Sequence, residues 1–89
     1  MTACQRSAIV VLRKARSRLV QNPDLSILAA LDRVAPRTAN GWNAMTQAYE
    51  TAMNLHEKSG SDVLPRDVKG VAAVALLDAT VAAMESDHG

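Results

Sequence analysis

The chain has 89 residues, a formal net charge of +1 and a single cysteine, Cys4. A chain of this length forms one small domain, and one cysteine excludes an intrachain disulfide and a zinc site built from cysteines. We therefore predict a single helical domain over residues 1–89 in the reducing environment of the cytoplasm. We find no apolar stretch of the kind that a secretory signal requires.

The positive charge is concentrated at the start of the sequence. Residues 1–22 contain five cations and no acid, whereas residues 23–89 contain five cations and nine acids. The five early cations are Arg6, Arg13, Lys14, Arg16 and Arg18. This uneven distribution is more informative about partners than the net charge.

The first predicted helix covers residues 3–21 and carries those five cations. Its apolar arc consists of Ala8, Ile9, Leu12, Ala15, Leu19 and Val20. Arg16 projects into this arc, where a long side chain usually extends its charged end to solvent. No acid stands three or four residues from any of the cations to pair with it. The charges therefore face solvent, another helix or a partner.

The second predicted helix covers residues 23–35. Asn22, Pro23 and Asp24 together are typical of a helix start, since Asn caps the first turn, Pro fits its first position and an acid complements the helix dipole. Pro36 ends the helix, because the residue before a proline avoids helical backbone angles.

The third predicted helix covers residues 39–58 and has the clearest amphipathic pattern in the chain. Gly60 suits the left-handed position that often follows a helix. Trp42 is in phase with Met45 and Tyr49, which predicts a buried indole whose truncation to Ala costs about 3 to 5 kcal/mol. The alternative is that Trp42 is an exposed binding hot spot.

The fourth predicted helix covers residues 65–85 and is apolar almost all round. Only Asp78 and Thr80 interrupt the apolar residues between positions 71 and 84. That stretch is shorter than the roughly 20 residues that span a bilayer, so we expect burial against protein. The predicted fold is an all-α compact four-helix bundle, with this helix at the centre or at a dimer interface.

One apolar stripe of the fourth helix is predicted to remain partly open. A contiguous exposed stripe is unusual in a soluble monomer, so we predict a homodimer that forms through it. The residues predicted to mediate self-association are Val74, Leu77, Val81 and Met84.

Residues that carry catalysis do not form a recognisable motif in this sequence. The two histidines, His56 and His88, are not spaced as two metal ligands on one helical face. Neither a glycine-rich phosphate loop nor a nucleophile with a base partner is evident. We predict no enzyme, no cofactor and no metal, and His56 is interpreted as a packed or helix-terminal residue.

The basic first helix is the strongest indication of a partner. The alternative interpretation is that acids elsewhere in the same chain neutralise its cations. The predicted partner-binding face consists of Arg6, Arg13, Lys14 and Arg18. We predict a small non-enzymatic regulator or inhibitor that occupies the surface of a partner protein, as expected of a bacterial or bacteriophage accessory protein. The alternative function is a regulator that binds nucleic acid through the same helix. We predict no membrane partner.

Overall fold

Four α-helices form from the amphipathic stretches of the sequence. The computed structural model describes residues 3–60, 62–64 and 67–86. The helices are α1 (Ala3–Gln21), α2 (Ile27–Val34), α3 (Ala39–Lys58) and α4 (Gly70–Ser86). The described residues contain no strand apart from one isolated bridge. The prediction of an all-α four-helix bundle is confirmed.

Helix α1 occupies the centre of the bundle and packs against the other three helices. Its buried side chains are Ala8, Ile9, Val11, Leu12, Ala15 and Leu19. The sequence predicted α4 at the centre or at a dimer interface, and the interface stays a prediction. The centre is not taken by α4, because much of its apolar surface consists of Ala methyl groups. Burying a methyl group gains less free energy than burying Ile, Val or Leu. The larger apolar side chains of α1 therefore take the centre.

Helix α2 begins at Ile27, four residues after the predicted start at Pro23. Ser26 is the N-cap, and its hydroxyl accepts a hydrogen bond from the Ala29 N–H at 3.2 Å. The preceding residues form a turn in which the Pro23 carbonyl accepts a hydrogen bond from the Gly70 N–H at 3.1 Å. The helix ends at Val34, before Pro36, as predicted.

Helix α3 has the predicted bounds, and both of its ends are capped. The Thr38 hydroxyl accepts a hydrogen bond from the Gly41 N–H at 3.0 Å, which satisfies a donor of the first turn. Gly60 has a φ of 73°, so the predicted left-handed position after the helix is confirmed. The Nε2–H of His56 donates to the Val63 carbonyl at 2.6 Å and so holds the following loop against the helix end.

Helix α4 begins at Gly70, later than predicted from Pro65, and residues 65 and 66 lie outside the described residues. Gly70 has a φ of 63°, a left-handed conformation that favours glycine. The two polar interruptions of the helix have different surroundings. Thr80 is buried, and its hydroxyl donates to the Leu76 carbonyl at 2.7 Å, whereas Asp78 is exposed and pairs with Arg16.

The position of Trp42 departs most from the sequence prediction, because its side chain is 62% exposed. The buried residues of α3 are Gly41, Ala44, Met45, Ala48 and Ala52. Successive residues of a helix are about 100° apart, so Trp42, which follows Gly41, lies at the edge of this face. Small residues form the contact instead and allow α3 to approach its neighbours closely. The prediction of a buried Trp42 is wrong.

Replacing Trp42 with Ala is expected to lower the free energy of unfolding by less than about 1 kcal/mol, since substitutions at exposed positions have small effects. Urea denaturation followed by circular dichroism measures this change. A loss of about 3 kcal/mol or more is the value for a core aromatic residue and would contradict the exposed position.

Candidate functional site

A groove with basic edges runs along α1 where this helix meets α2 and the start of α3. It consists of two depressions that share Lys14 and Val34. The smaller depression has a volume of about 280 Å³ and lies between α1, the α2–α3 turn and the first turns of α3. The larger has a volume of about 580 Å³ and lies between the C-terminal ends of α1 and α2. We call the two together the basic groove.

The α1 wall of the basic groove is built by a four-residue repeat. Arg6, Val10, Lys14 and Arg18 are four positions apart, and residues at this spacing lie near one another along a helix. At 1.5 Å per residue the repeat extends over about 18 Å. It places an apolar side chain between cations.

The opposite wall is formed by the end of α2, the turn after it and the start of α3. Val34 and Pro36 supply apolar surface, and Gly41 brings the backbone of α3 close to the turn. A Cβ atom at Gly41 would lie 2.1 Å from the Pro36 carbonyl oxygen, so this approach requires glycine. The N-terminal end of α3 also carries the positive end of its helix dipole into this wall.

The charges that line the basic groove are all positive. Four cations line it, namely Arg6, Lys14, Arg18 and Arg33, and among the described residues no carboxylate does. None of these four makes an ion pair with another residue that the structure describes. Within the described part of the chain, the groove therefore presents positive charge without a neighbouring acid, beside the apolar side chains of its walls.

Other cations of the chain are paired with its acids outside the groove. Arg13 lies 3.2 Å from Glu85, and the Arg16 Nε lies 2.7 Å from the Asp78 carboxylate, so both contact α4. From the first pair to the second, the residue number increases in α1 and decreases in α4. The two helices are therefore antiparallel. These pairs are about half exposed, where an ion pair contributes at most about 1 kcal/mol. They link α1 to α4 and do not involve the cations of the groove.

Three of the four residues of the predicted partner-binding face lie together in the basic groove. They are Arg6, Lys14 and Arg18. Arg13 lies apart from them, because it pairs with Glu85. Sequence reasoning missed Arg33, which is on α2 and lines the groove beside Lys14 and Arg18. The sequence indicated that Arg33 lies near the end of a short helix. It did not indicate how α2 packs on α1, and this packing brings Arg33 next to the cations of α1.

The stripe of α4 predicted for self-association faces the core in part. Leu77 is fully buried and Met84 is 4% exposed, while Val74 and Val81 are partly buried. The open side of α4 is the opposite one, with Val71 and four alanines, Ala72, Ala75, Ala79 and Ala82. The stripe was predicted to be partly open, and Leu77 and Met84 do not contribute to its open part. A homodimer stays a prediction, and it cannot use these two residues without opening the core.

No family model, curated protein or solved structure matches this chain. The function must therefore be inferred from the groove itself. Among the residues that the structure describes, no group of three His, Cys, Asp or Glu side chains is placed to hold a metal ion. None of the described helices is long and apolar enough to cross a bilayer. His88 lies outside the described residues.

The shape of the basic groove suits a macromolecular surface better than a small molecule. Small-molecule sites are concave cavities of about 300 to 1,000 Å³ that enclose most of the ligand. The volumes of the two depressions lie near or within this range, but both are open to solvent rather than enclosed, and they adjoin at Lys14 and Val34. Apolar side chains with a charged edge are the usual composition of a protein interface.

Proposed function

We propose that the protein is a non-enzymatic regulator or inhibitor that occupies an acidic surface of a partner protein with its basic groove. The observation that carries the proposal is a set of four cations beside apolar walls, which within the described part of the chain have no ion-pair partner and share the groove with no carboxylate. We include in the proposal a cytoplasmic location, with which the exposed free thiol of Cys4 is compatible, and a role as a bacterial or bacteriophage accessory protein.

Two features favour a protein partner over nucleic acid. The two walls of the groove contain Val10 and Val34, and phosphates gain nothing from apolar surface. Trp42 is exposed near the same groove, since it lines a third depression that shares Pro36 and Thr38 with the first. Trp and Arg are among the residue types enriched in protein-binding hot spots. The nucleic-acid alternative is retained as an outcome of the test.

The test compares two variants of equal net charge. The groove variant carries Lys14→Glu and Arg33→Glu, and the control variant carries Lys58→Glu and Lys69→Glu, which are exposed and outside the groove. Each variant and the wild type capture proteins from a nuclease-treated lysate of the source cells, and the captured partner is then purified and titrated. We expect the partner to bind the wild type and the control, and to lose at least about tenfold in affinity for the groove variant, because like charges then face each other.

Anisotropy titration with a short duplex of random sequence decides between the two functions. We expect no binding at physiological salt. Binding that weakens linearly in log salt, with a slope of about 0.9 per neutralised phosphate, and that the groove variant loses, would establish the nucleic-acid alternative. Equal loss of the captured protein in the groove and control variants would contradict the proposal, because it would show an effect of net charge alone.

A further inference from the structure

The smaller depression of the basic groove has an apolar wall that stays open to solvent. Val10 is 49% exposed, although it lies between two cations on a helix whose other apolar residues are mostly buried. Val34 is only partly buried on the facing side. The volume of this depression, about 280 Å³, has room for one large apolar side chain. Covering this wall would remove apolar surface from water, which is favourable.

The cations on α1 define where the acids of an occupant must lie. Arg6 and Lys14 stand four residues before and four residues after Val10, and Arg18 stands eight residues after it. Two helices that pack side by side at about 20° keep their residues in register over three turns. A helical occupant with carboxylates four residues before, and four and eight residues after, an apolar residue therefore matches this row.

An extended peptide matches the groove less well than a helix does. Extended peptides bind by adding a strand to a sheet edge, and the described residues offer no such edge. An extended chain in this groove would leave its backbone N–H and C=O groups without protein partners. A helix satisfies these groups internally and presents only its side chains.

We infer that the basic groove accepts an acidic amphipathic helix of the partner protein and that one large apolar side chain of this helix enters the depression between Val10 and Val34. The inference rests on the proposed function and names the partner element that the same site recognises. The apolar side chain provides affinity, and the carboxylates fix the position of the helix along α1.

The test uses an alanine-rich helical peptide with a central leucine and glutamates four and eight residues away on both sides, so that either helix direction can bind. Two control peptides are the same sequence with serine in place of leucine and a scrambled peptide of identical composition. Binding is measured by anisotropy and by amide chemical shifts. We expect the leucine peptide to bind at least about tenfold more tightly than either control, since burial of one leucine is worth that factor or more. The amides of Val10, Val34 and Gly41 should shift.

Two variants of α1 locate the apolar contact. Val10→Gln removes the apolar wall without changing charge, and Val20→Gln is its matched control, because Val20 is 58% exposed on the same helix and lies outside the groove. Val10→Gln should abolish the preference for leucine over serine, and Val20→Gln should leave it unchanged.

Equal binding of the leucine and scrambled peptides, or no binding of the leucine peptide at millimolar concentration, would overturn the inference. The proposed function fails separately, when capture of the partner protein does not depend on Lys14 and Arg33. A partner that depends on these two cations while the leucine peptide shows no preference would leave the function intact and the helical occupant wrong.

Discussion

Replacing Leu12 with Ala is expected to lower the free energy of unfolding by about 3 to 5 kcal/mol, which is the cost of a cavity in a closely packed core. Leu12 is fully buried near the middle of α1, and α1 contacts every other helix of the bundle. A native domain has only about 5 to 15 kcal/mol of stability in total. This single change therefore removes a large fraction of it. Urea denaturation followed by circular dichroism provides the measurement.

Two further substitutions in α1 test the reason given for the Leu12 effect. Leu12→Met preserves most of the volume and should cost less than about 1.5 kcal/mol. Val20→Ala removes apolar atoms from a residue that is mostly exposed, and its effect should lie within about 0.5 kcal/mol. A small loss for Leu12→Ala, similar to that for Val20→Ala, would show that α1 is not at the centre of the core.

The second large effect on the free energy of unfolding is expected for Gly41→Ala. This change should destabilise the protein, although replacing Gly with Ala in a helix is usually stabilising. Ala normally stabilises a helix by about 1 kcal/mol relative to Gly. At this position the new Cβ would lie 2.1 Å from the Pro36 carbonyl oxygen and 2.8 Å from the Pro36 carbonyl carbon. Both atoms belong to the backbone, so the start of α3 must move away from the turn. We expect a net loss of about 2 kcal/mol or more, within the range for overpacked sites.

Asn40→Ala is the control for Gly41→Ala, because Asn40 is the preceding residue of α3 and is exposed. Ala has the better helix propensity, so Asn40→Ala should be neutral or stabilise slightly. The same denaturation experiment measures both variants. A Gly41→Ala protein as stable as the wild type would mean that the turn and α3 are not held in the close contact described.

Features set by neighbouring residues were predictable from the sequence. The end of α2 before Pro36 and the left-handed Gly60 depend on the backbone geometry of one or two residues, and both were found where predicted. The start of α2 was not predictable in this way, because two residues compete as its N-cap. Asn22 and Ser26 are both good N-caps, and the hydrogen bond from Gly70 to Pro23 favours the second one. That bond joins residues far apart in the sequence and leaves no local signal.

Features set by the packing of helices were less predictable. The spacing of apolar residues in α3 predicted that Trp42 lies inside the bundle. In the structure the backbone at Gly41 packs closely against the turn, and Trp42 lies at the edge of the buried face. The residues of the candidate site also depend on how the helices pack. The charge asymmetry of the sequence indicated the cations of α1, but only the packed helices show that Arg13 pairs with Glu85 and that Arg33 lies beside Lys14 and Arg18.

The antiparallel packing of α1 on α4 has a consequence for the order of folding during synthesis. The ion pairs between these helices join residues 62 and 72 positions apart, and α1 makes the most extensive contacts with the other helices. The ribosome adds about 5 to 20 residues per second, so α1 waits several seconds for the helix that covers one of its sides. Because α1 carries five cations and no acid, we expect the α1 segments of different nascent chains to repel each other during that interval. We therefore expect the cations that line the groove in the folded protein also to limit aggregation before folding is complete.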